Sequence, residues 1–479
     1  MTFEIISKDA MGRIALLETK SGTIETPAVM PVINPNKILI SPKEMQKMGA
    51  DVLITNAYII YKNSELRKKA RAEGIHSLLD WHKPLMTDSG AYQLASYGGI
   101  DVDNNEILEF QESMGVDICV PLDLPTHPDA KRKDAKRDLA ETYLRLKEAR
   151  KIVKNTLLCA PVQGGRFPEL RKESASKASE IQADIYAIGG VVPLLDAYRY
   201  ETLVDVIVAC KKSLPPSSPV HLFGAGHPMT LALSVALGCD LFDSAAYALY
   251  AKDGRYLTPH GTLFVDELDY LPCSCEVCSS SSAKEMKDEV LLAKHNLYAT
   301  FQEIRTIKQS IKSGTLWDLV EMRCRAHPLL LSGLRRALKY SKFIEKYDPV
   351  FGTFFYRGSE SAQRTEVVRY ADKLGRFSLS GDVLIATKNR KITKLDRKKY
   401  GHIFYVKAPF GPYPVELGAT YPIGQSVVLE DDESRRVALE NVLKLIKFHR
   451  NVHFFFEYGR NWESPLIDEI RRYAKTKRI

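Results

Sequence analysis

Eight short apolar runs recur before residue 250, and most of them end in Asp, Asn, Gln or Gly. They cover residues 23–33, 51–56, 84–88, 116–123, 157–165, 184–190, 220–226 and 239–243. Between most of them lie stretches with apolar residues at three- and four-residue spacing among Lys, Arg and Glu, as at 134–153 and 168–182. A further stretch, 228–237, opens on a proline at a plausible first helical position. Strands apolar on both faces that alternate with helices predict a parallel sheet. Eight such units at this spacing match a (β/α)8 TIM barrel within the α/β class. A doubly wound open sheet is the alternative, weakened because no G-x-G-x-x-G follows an early strand.

A barrel gathers its strand ends on one rim, where active sites form. Asn56, Asp88, Asp123, Gln163, Gly190, Gly224 and Asp243 then converge on one pocket. Each alone reads as a turn residue, and Asp88-Ser89-Gly90 is common turn chemistry. Seven together at strand ends exceed what turns explain.

Residues 257–282 interrupt the alternation. Cys273-x-Cys275-x-x-Cys278 places three thiolates close together, and His295 follows within a helical pattern. Three sulfurs and one imidazole make a closed tetrahedral site for a structural Zn²⁺. The competing reading is a disulfide with a spare thiol, which suits a reducing compartment poorly. Cys119, Cys159, Cys210, Cys239 and Cys324 stand singly in apolar surroundings and read as core.

The texture changes after residue 347. Strand-like runs at 351–356, 377–385, 402–407 and 415–421, with a helical run at 439–447, predict a smaller α+β domain over 348–479. Residues 1–347 form the barrel domain, with a zinc-binding subdomain near 257–313. A net charge of +9 permits a polyanionic partner without demonstrating one. Basic residues cluster at 388–399 and 471–478, where a solvated face and a phosphate-binding face are equally expected. No apolar stretch is long enough to span a bilayer, and the N-terminus lacks the order of a signal peptide. The expectation is a cytoplasmic protein with no membrane association.

Two carboxylates on one rim suit displacement at a sugar anomeric carbon, one attacking and the other moving protons. Tyr92 and Phe223 are candidates to sandwich a flat heterocycle, although each singly reads as core. Asp123, Gln163 and the backbone around Gly189, Gly190 and Val191 are candidates to read its hydrogen-bonding edge. No H-x-H pair is present, which argues against a catalytic metal.

The segments Thr87-Asp88-Ser89-Gly90-Ala91-Tyr92-Gln93, Val162-Gln163-Gly164-Gly165, Ile188-Gly189-Gly190 and Phe242-Asp243, with the Cys-x-Cys-x-x-Cys element, resemble the tRNA-guanine transglycosylase family in order and spacing. Ala91, where bacterial members usually carry glycine, and the long C-terminal extension resemble its archaeal branch. That resemblance implies exchange of guanine at position 15 in the D-loop of tRNA for 7-cyano-7-deazaguanine (preQ0), through a covalent glycosyl-enzyme intermediate, on the route to archaeosine. It implies that Asp243 attacks the ribose and Asp88 handles protons, an assignment the pair could also carry in reverse. It implies that Asp123, Gln163, Gly189 and Gly190 read the deazaguanine edge, that Tyr92 and Phe223 stack on it, and that Cys273, Cys275, Cys278 and His295 hold one structural Zn²⁺. The target nucleotide must be extruded from folded tRNA, and the basic extension would grip phosphates. A homodimer is expected. Archaeal members usually end in a PUA domain, and none is recognisable after Arg450, so a separate PUA-domain polypeptide is a further expected partner. The competing functions are a non-catalytic tRNA-binding paralogue and a related enzyme that modifies the nitrile after insertion; retention of both Asp88 and Asp243 counts against each.

Overall fold

The computed structural model describes residues 2–91, 102–349, 352–387 and 390–479. The chain divides into two compact units, residues 1–312 with 322–337, and residues 313–321 with 338–479.

The first unit opens with an antiparallel sheet of β1 (Phe3–Asp9), β2 (Gly12–Thr19) and β3 (Gly22–Thr26), in that order. This sheet takes up the start of the first predicted run, which breaks at Pro27. A proline has no N–H to continue a ladder, and the chain restarts beyond it as a barrel strand.

The eight barrel strands are β4 (Ala28–Ile33), β5 (Leu53–Asn56), β6 (Leu85–Asp88), β7 (Ile118–Cys119), β8 (Leu157–Val162), β9 (Ile185–Ile188), β10 (Val220–Leu222) and β11 (Leu241–Ser244). Seven of the eight predicted runs contain one, and the last, 239–243, covers all of β11 but Ser244. They follow chain order around a closed parallel barrel in which β11 pairs with β4, setting Asp243 opposite Met30. Each later strand is reached through helical segments such as Arg132–Ile152 and Pro168–Glu180. Met30, Ile54, Met86, Ile118, Cys159 and Leu241 belong to one buried apolar cluster, so the barrel is packed rather than hollow.

Beyond the barrel, β12 (Arg255–Thr258) and β13 (Gly261–Phe264) form a hairpin, and a long helix runs Glu289–Ser313. The five cysteines expected in the core are all buried. Among the described residues no helix is long and apolar enough to cross a membrane.

The second unit is a smaller α+β structure. Its short strands β14 (Phe354–Phe355) and β18 (Ser426–Val427) pair in parallel. The main sheet has the order β17 (Gly411–Pro414), β16 (His402–Lys407), β15 (Asp382–Thr387), β19 (His453–Tyr458) and β20 (Ala474–Arg478). The helix Asp432–Phe448 contributes Leu439 and Val442 to the core beside Phe404 and Phe456. Residues 313–321 are tied in by the buried Arg364, which donates to Asp318 at 2.9 Å. The strand expected at 415–421 is instead a short 3₁₀ turn, Val415–Leu417, followed by loop. The strand forms just upstream at Gly411–Pro414, on the sheet edge, where prolines cost no ladder bond.

Candidate active site and metal centre

Barrel register determines which strand ends meet. Pairing of β5 with β6 sets Asn56 opposite Asp88, and Asn56 Nδ2 donates to Asp88 Oδ1 at 2.6 Å. Asn56 is itself held, because its Oδ1 caps the next helix by accepting from Ile59 N at 2.9 Å. Gly90 N donates to the same Asp88 oxygen at 2.8 Å. Only glycine fits there: φ is +88°, and a Cβ would lie 2.5 Å from Tyr58 Cβ.

The Asp88 carboxyl keeps some solvent access, yet protein encloses it closely. Burial raises its pKa to about 7, against the lowering pull of the Gly90 amide and Asn56, and the charges of Asp243 and Asp123 add to the rise. A carboxyl poised near neutrality suits proton transfer in either direction.

Asp243, at the end of β11, has a parallel environment. His221 Nε2 lies 2.8 Å from Asp243 Oδ1, and Gly224 N donates to that oxygen at 2.8 Å. His221 is wholly buried and meets the Phe223 ring edge-on, with centroids 4.6 Å apart.

Asp123 and Gln163 form the third group. Both are buried, and Gln163 Nε2 donates to Asp123 Oδ2. Burial raises the Asp123 pKa to about 6, partly offset by the Gln163 bond. Gln163 Oε1 finds no donor among the described residues. Gly189 and Gly190 leave room for this amide: a Cβ on Gly189 would stand 2.3 Å from Gln163 Nε2, and one on Gly190 would stand 3.1 Å from Oε1. The loops that carry them are held by the buried Arg171, which donates to the carbonyls of Val162 (2.7 Å), Gly165 (2.7 Å) and Gly189 (2.8 Å).

The structure thus places Asp88, Asp123, Gln163, Gly189, Gly190, Phe223 and Asp243 at the C-terminal ends of neighbouring barrel strands. Tyr92 lies outside the described residues. Sequence reasoning missed His221 as a site residue. Its signal was an imidazole inside the apolar run Val220-His221-Leu222, where a buried ring needs a partner.

The family model described as queuine tRNA-ribosyltransferase matches residues 8–329, well over half of the chain. The chain belongs to the queuine tRNA-ribosyltransferase family. It is 54% identical over 480 residues to a tRNA-guanine(15) transglycosylase of Methanosarcina barkeri (strain Fusaro / DSM 804), covering 99% of this chain and 97% of the relative. A protein of the same name from Archaeoglobus fulgidus (strain ATCC 49558 / DSM 4304 / JCM 9628 / NBRC 100126 / VC-16) is 46% identical over 97% of each chain. Another from Pyrococcus furiosus (strain ATCC 43587 / DSM 3638 / JCM 8422 / Vc1) is 45% identical, covering 93% of this chain and 74% of that one.

The span matched by the queuine tRNA-ribosyltransferase model also contains the cysteine cluster. One ligand atom each from Cys273, Cys275, Cys278 and His295 lies within 4.8 Å of all the others, a group able to hold one metal ion. His295 Nδ1 faces the thiols, 3.2 Å from Cys278 Sγ and 3.6 Å from Cys275 Sγ. The opposite nitrogen, Nε2, lies 3.0 Å from the Leu257 carbonyl and donates to it, which leaves Nδ1 as the lone-pair donor. The Tyr256 ring stacks on His295 at 3.5 Å, and its hydroxyl lies 3.2 Å from Cys278 Sγ. The donor set therefore fits a closed four-coordinate ion.

In the second unit the expected phosphate-binding cluster is partly committed elsewhere. Arg390 pairs with Asp396 (2.6 Å) and with Glu457, and Lys388 lies outside the described residues.

Proposed function

We propose that this chain exchanges guanine at position 15 of tRNA for 7-cyano-7-deazaguanine through a covalent ribosyl-enzyme intermediate. The observation that carries the reading is the matched pair of rim carboxylates. Asp88 and Asp243 each have one oxygen held by two donors, and among the described residues no donor reaches either Oδ2.

In this reading Asp243 attacks the anomeric carbon of the ribose. A carbon–oxygen bond forms as the glycosidic carbon–nitrogen bond breaks, and the electron pair leaves on guanine. Asp88, whose pKa is raised to about 7, gives the departing base a proton in its protonated form. The incoming deazaguanine returns a proton to Asp88, and its ring nitrogen displaces the Asp243 oxygen. Asp123 accepts from the N–H edge of the base, and the unpartnered Gln163 Oε1 with the Gly189–Gly190 backbone completes that recognition. Phe223, and Tyr92 from outside the described residues, stack on the ring. Zn²⁺ is the ion that suits Cys273, Cys275, Cys278 and His295, where it would stabilise the fold and take no part in exchange.

The second unit, 348–479 by its sequence texture, would contribute tRNA contacts. The reading also includes a homodimer, a cytoplasmic site of action and a separate PUA-domain partner, for which the family resemblance is the support. The test is exchange of labelled guanine from tRNA in the presence of the deazaguanine, with a denaturing gel for an RNA–protein adduct. Absence of both, with a PUA-domain companion supplied, would refute the function.

A further inference from the structure

We infer that Asp243 attacks through Oδ2, and that His221 is the positioning residue that reserves this oxygen for the ribose. The inference rests on the reading of Asp243 as nucleophile and specifies which atom acts and what selects it.

The two oxygens of Asp243 differ in environment. Oδ1 accepts from Gly224 N at 2.8 Å and from His221 Nε2 at 2.8 Å. Two N–H donors on one oxygen occupy its lone pairs and hold it in place, and among the described residues Oδ2 accepts none. The Gly224 donor depends on a backbone only glycine takes easily: φ is +68°, and a Cβ would lie 2.3 Å from Val192 Cγ2. The His221 donor depends on barrel register, which sets His221 beside Ala187 of β9 and Leu241 of β11, inside the wall.

The second ring nitrogen shows which form of His221 fits. His221 Nδ1 is buried and meets no partner among the described residues. A hydrogen there would be a buried donor with nothing to bond. The ring that fits carries its single hydrogen on Nε2 and is neutral. A neutral donor orients the carboxylate without cancelling its charge, whereas an ammonium or guanidinium in that place would stabilise the anion and blunt its attack. His221 thus fixes Oδ1 and leaves Oδ2 for the ribose. In the step itself the Oδ2–C1′ bond forms as the C1′–base bond breaks, and His221 neither gains nor loses a proton.

The test compares His221→Phe, which keeps a flat ring without a donor, with His221→Gln, which keeps a donor without the ring. Single-turnover adduct formation is followed on denaturing gels, and steady-state exchange gives kcat and KM for tRNA and base. His221→Phe should slow adduct formation about 10- to 100-fold, the scale on which losing an orienting outer hydrogen bond acts, with KM little changed. His221→Gln should recover most of the rate. Circular dichroism and thermal melting report folding. If the Phe variant does not fold, His221→Met against His221→Gln gives the same comparison. Adduct formation at the wild-type rate without the donor, a loss confined to KM, or a folded Gln variant as slow as the Phe variant would each overturn the role. Failure of the wild-type chain to form any adduct would instead refute the transglycosylase reading.

Discussion

Asn56 holds Asp88 by one oxygen, its Nδ2 standing 2.6 Å from Asp88 Oδ1, while its own carbonyl oxygen is locked to Ile59 N. The same construction recurs at Asp243 with His221 in place of Asn56. In both, a side chain from the preceding strand and a glycine amide clamp one oxygen, with Gly90 in the loop after the acid's own strand and Gly224 in the loop after the preceding one. What separates the two acids is the chemistry around them.

Asp243→Ala should remove the RNA–protein adduct and lower exchange by about 10³-fold or more, the scale on which losing a covalent nucleophile acts. Binding of tRNA should persist. Gel shift and adduct gels on the same preparation check both, and an adduct trapped in this variant would move the nucleophile role to Asp88.

Asp88 should couple stability to pH. Its carboxyl is raised from an ordinary 3.8 to about 7, so the folded state holds a proton that the unfolded chain has released. The stability contributed is full below pH 3.8 and is lost as pH rises toward 7. Asp88→Asn keeps an acceptor for Asn56 and Gly90 and cannot ionise. It should therefore gain on the wild type with rising pH, by about 2–4 kcal/mol at pH 8. Urea unfolding from pH 5 to 8.5 measures the difference. A constant offset across that range would contradict the raised carboxyl.

Gly189→Ala should damage base recognition more than tRNA binding. The new Cβ would stand 2.3 Å from Gln163 Nε2, so the amide must leave Asp123. KM for the free base should rise about tenfold or more, on the scale of one to three kcal/mol for misplaced buried polar groups. Exchange kinetics with varied deazaguanine decide it, and an unchanged KM would show that Gln163 does not read the base.

Cys275→Ala should lower metal content and thermal stability together, because three ligands hold the ion less tightly than four. Elemental analysis and thermal melting of the same sample check this. Full zinc occupancy at an unchanged melting temperature would count against Cys275 as a ligand. Residual exchange in the soluble fraction should keep its KM for the base, since this cluster is separate in sequence from the rim residues.

Much of the barrel was legible because its strands are apolar on both faces and most of the runs stop at a polar or glycine residue. That pattern reports burial directly, and all eight barrel strands formed where it lay. The metal cluster was legible for a similar reason: three thiols at C-x-C-x-x-C spacing are local. The antiparallel sheet before Pro27 and the edge strand Gly411–Pro414 were not. Their stability comes from cross-strand pairing with the adjacent hairpin strand rather than from an apolar pattern of their own.

The site divides along the same line. The sequence alone determined that acidic, amide and glycine residues end the barrel strands, because strand ends coincide with breaks in apolar runs. Only the tertiary structure decided which of them touch. Asn56 and Asp88 are 32 positions apart, and His221 and Asp243 are 22 apart. Parallel register brings each pair to hydrogen-bonding distance, and register depends on the closure of the whole barrel. The raised carboxyl of Asp88 arises there too, since burial and neighbouring charge exist only once the strands have assembled around it.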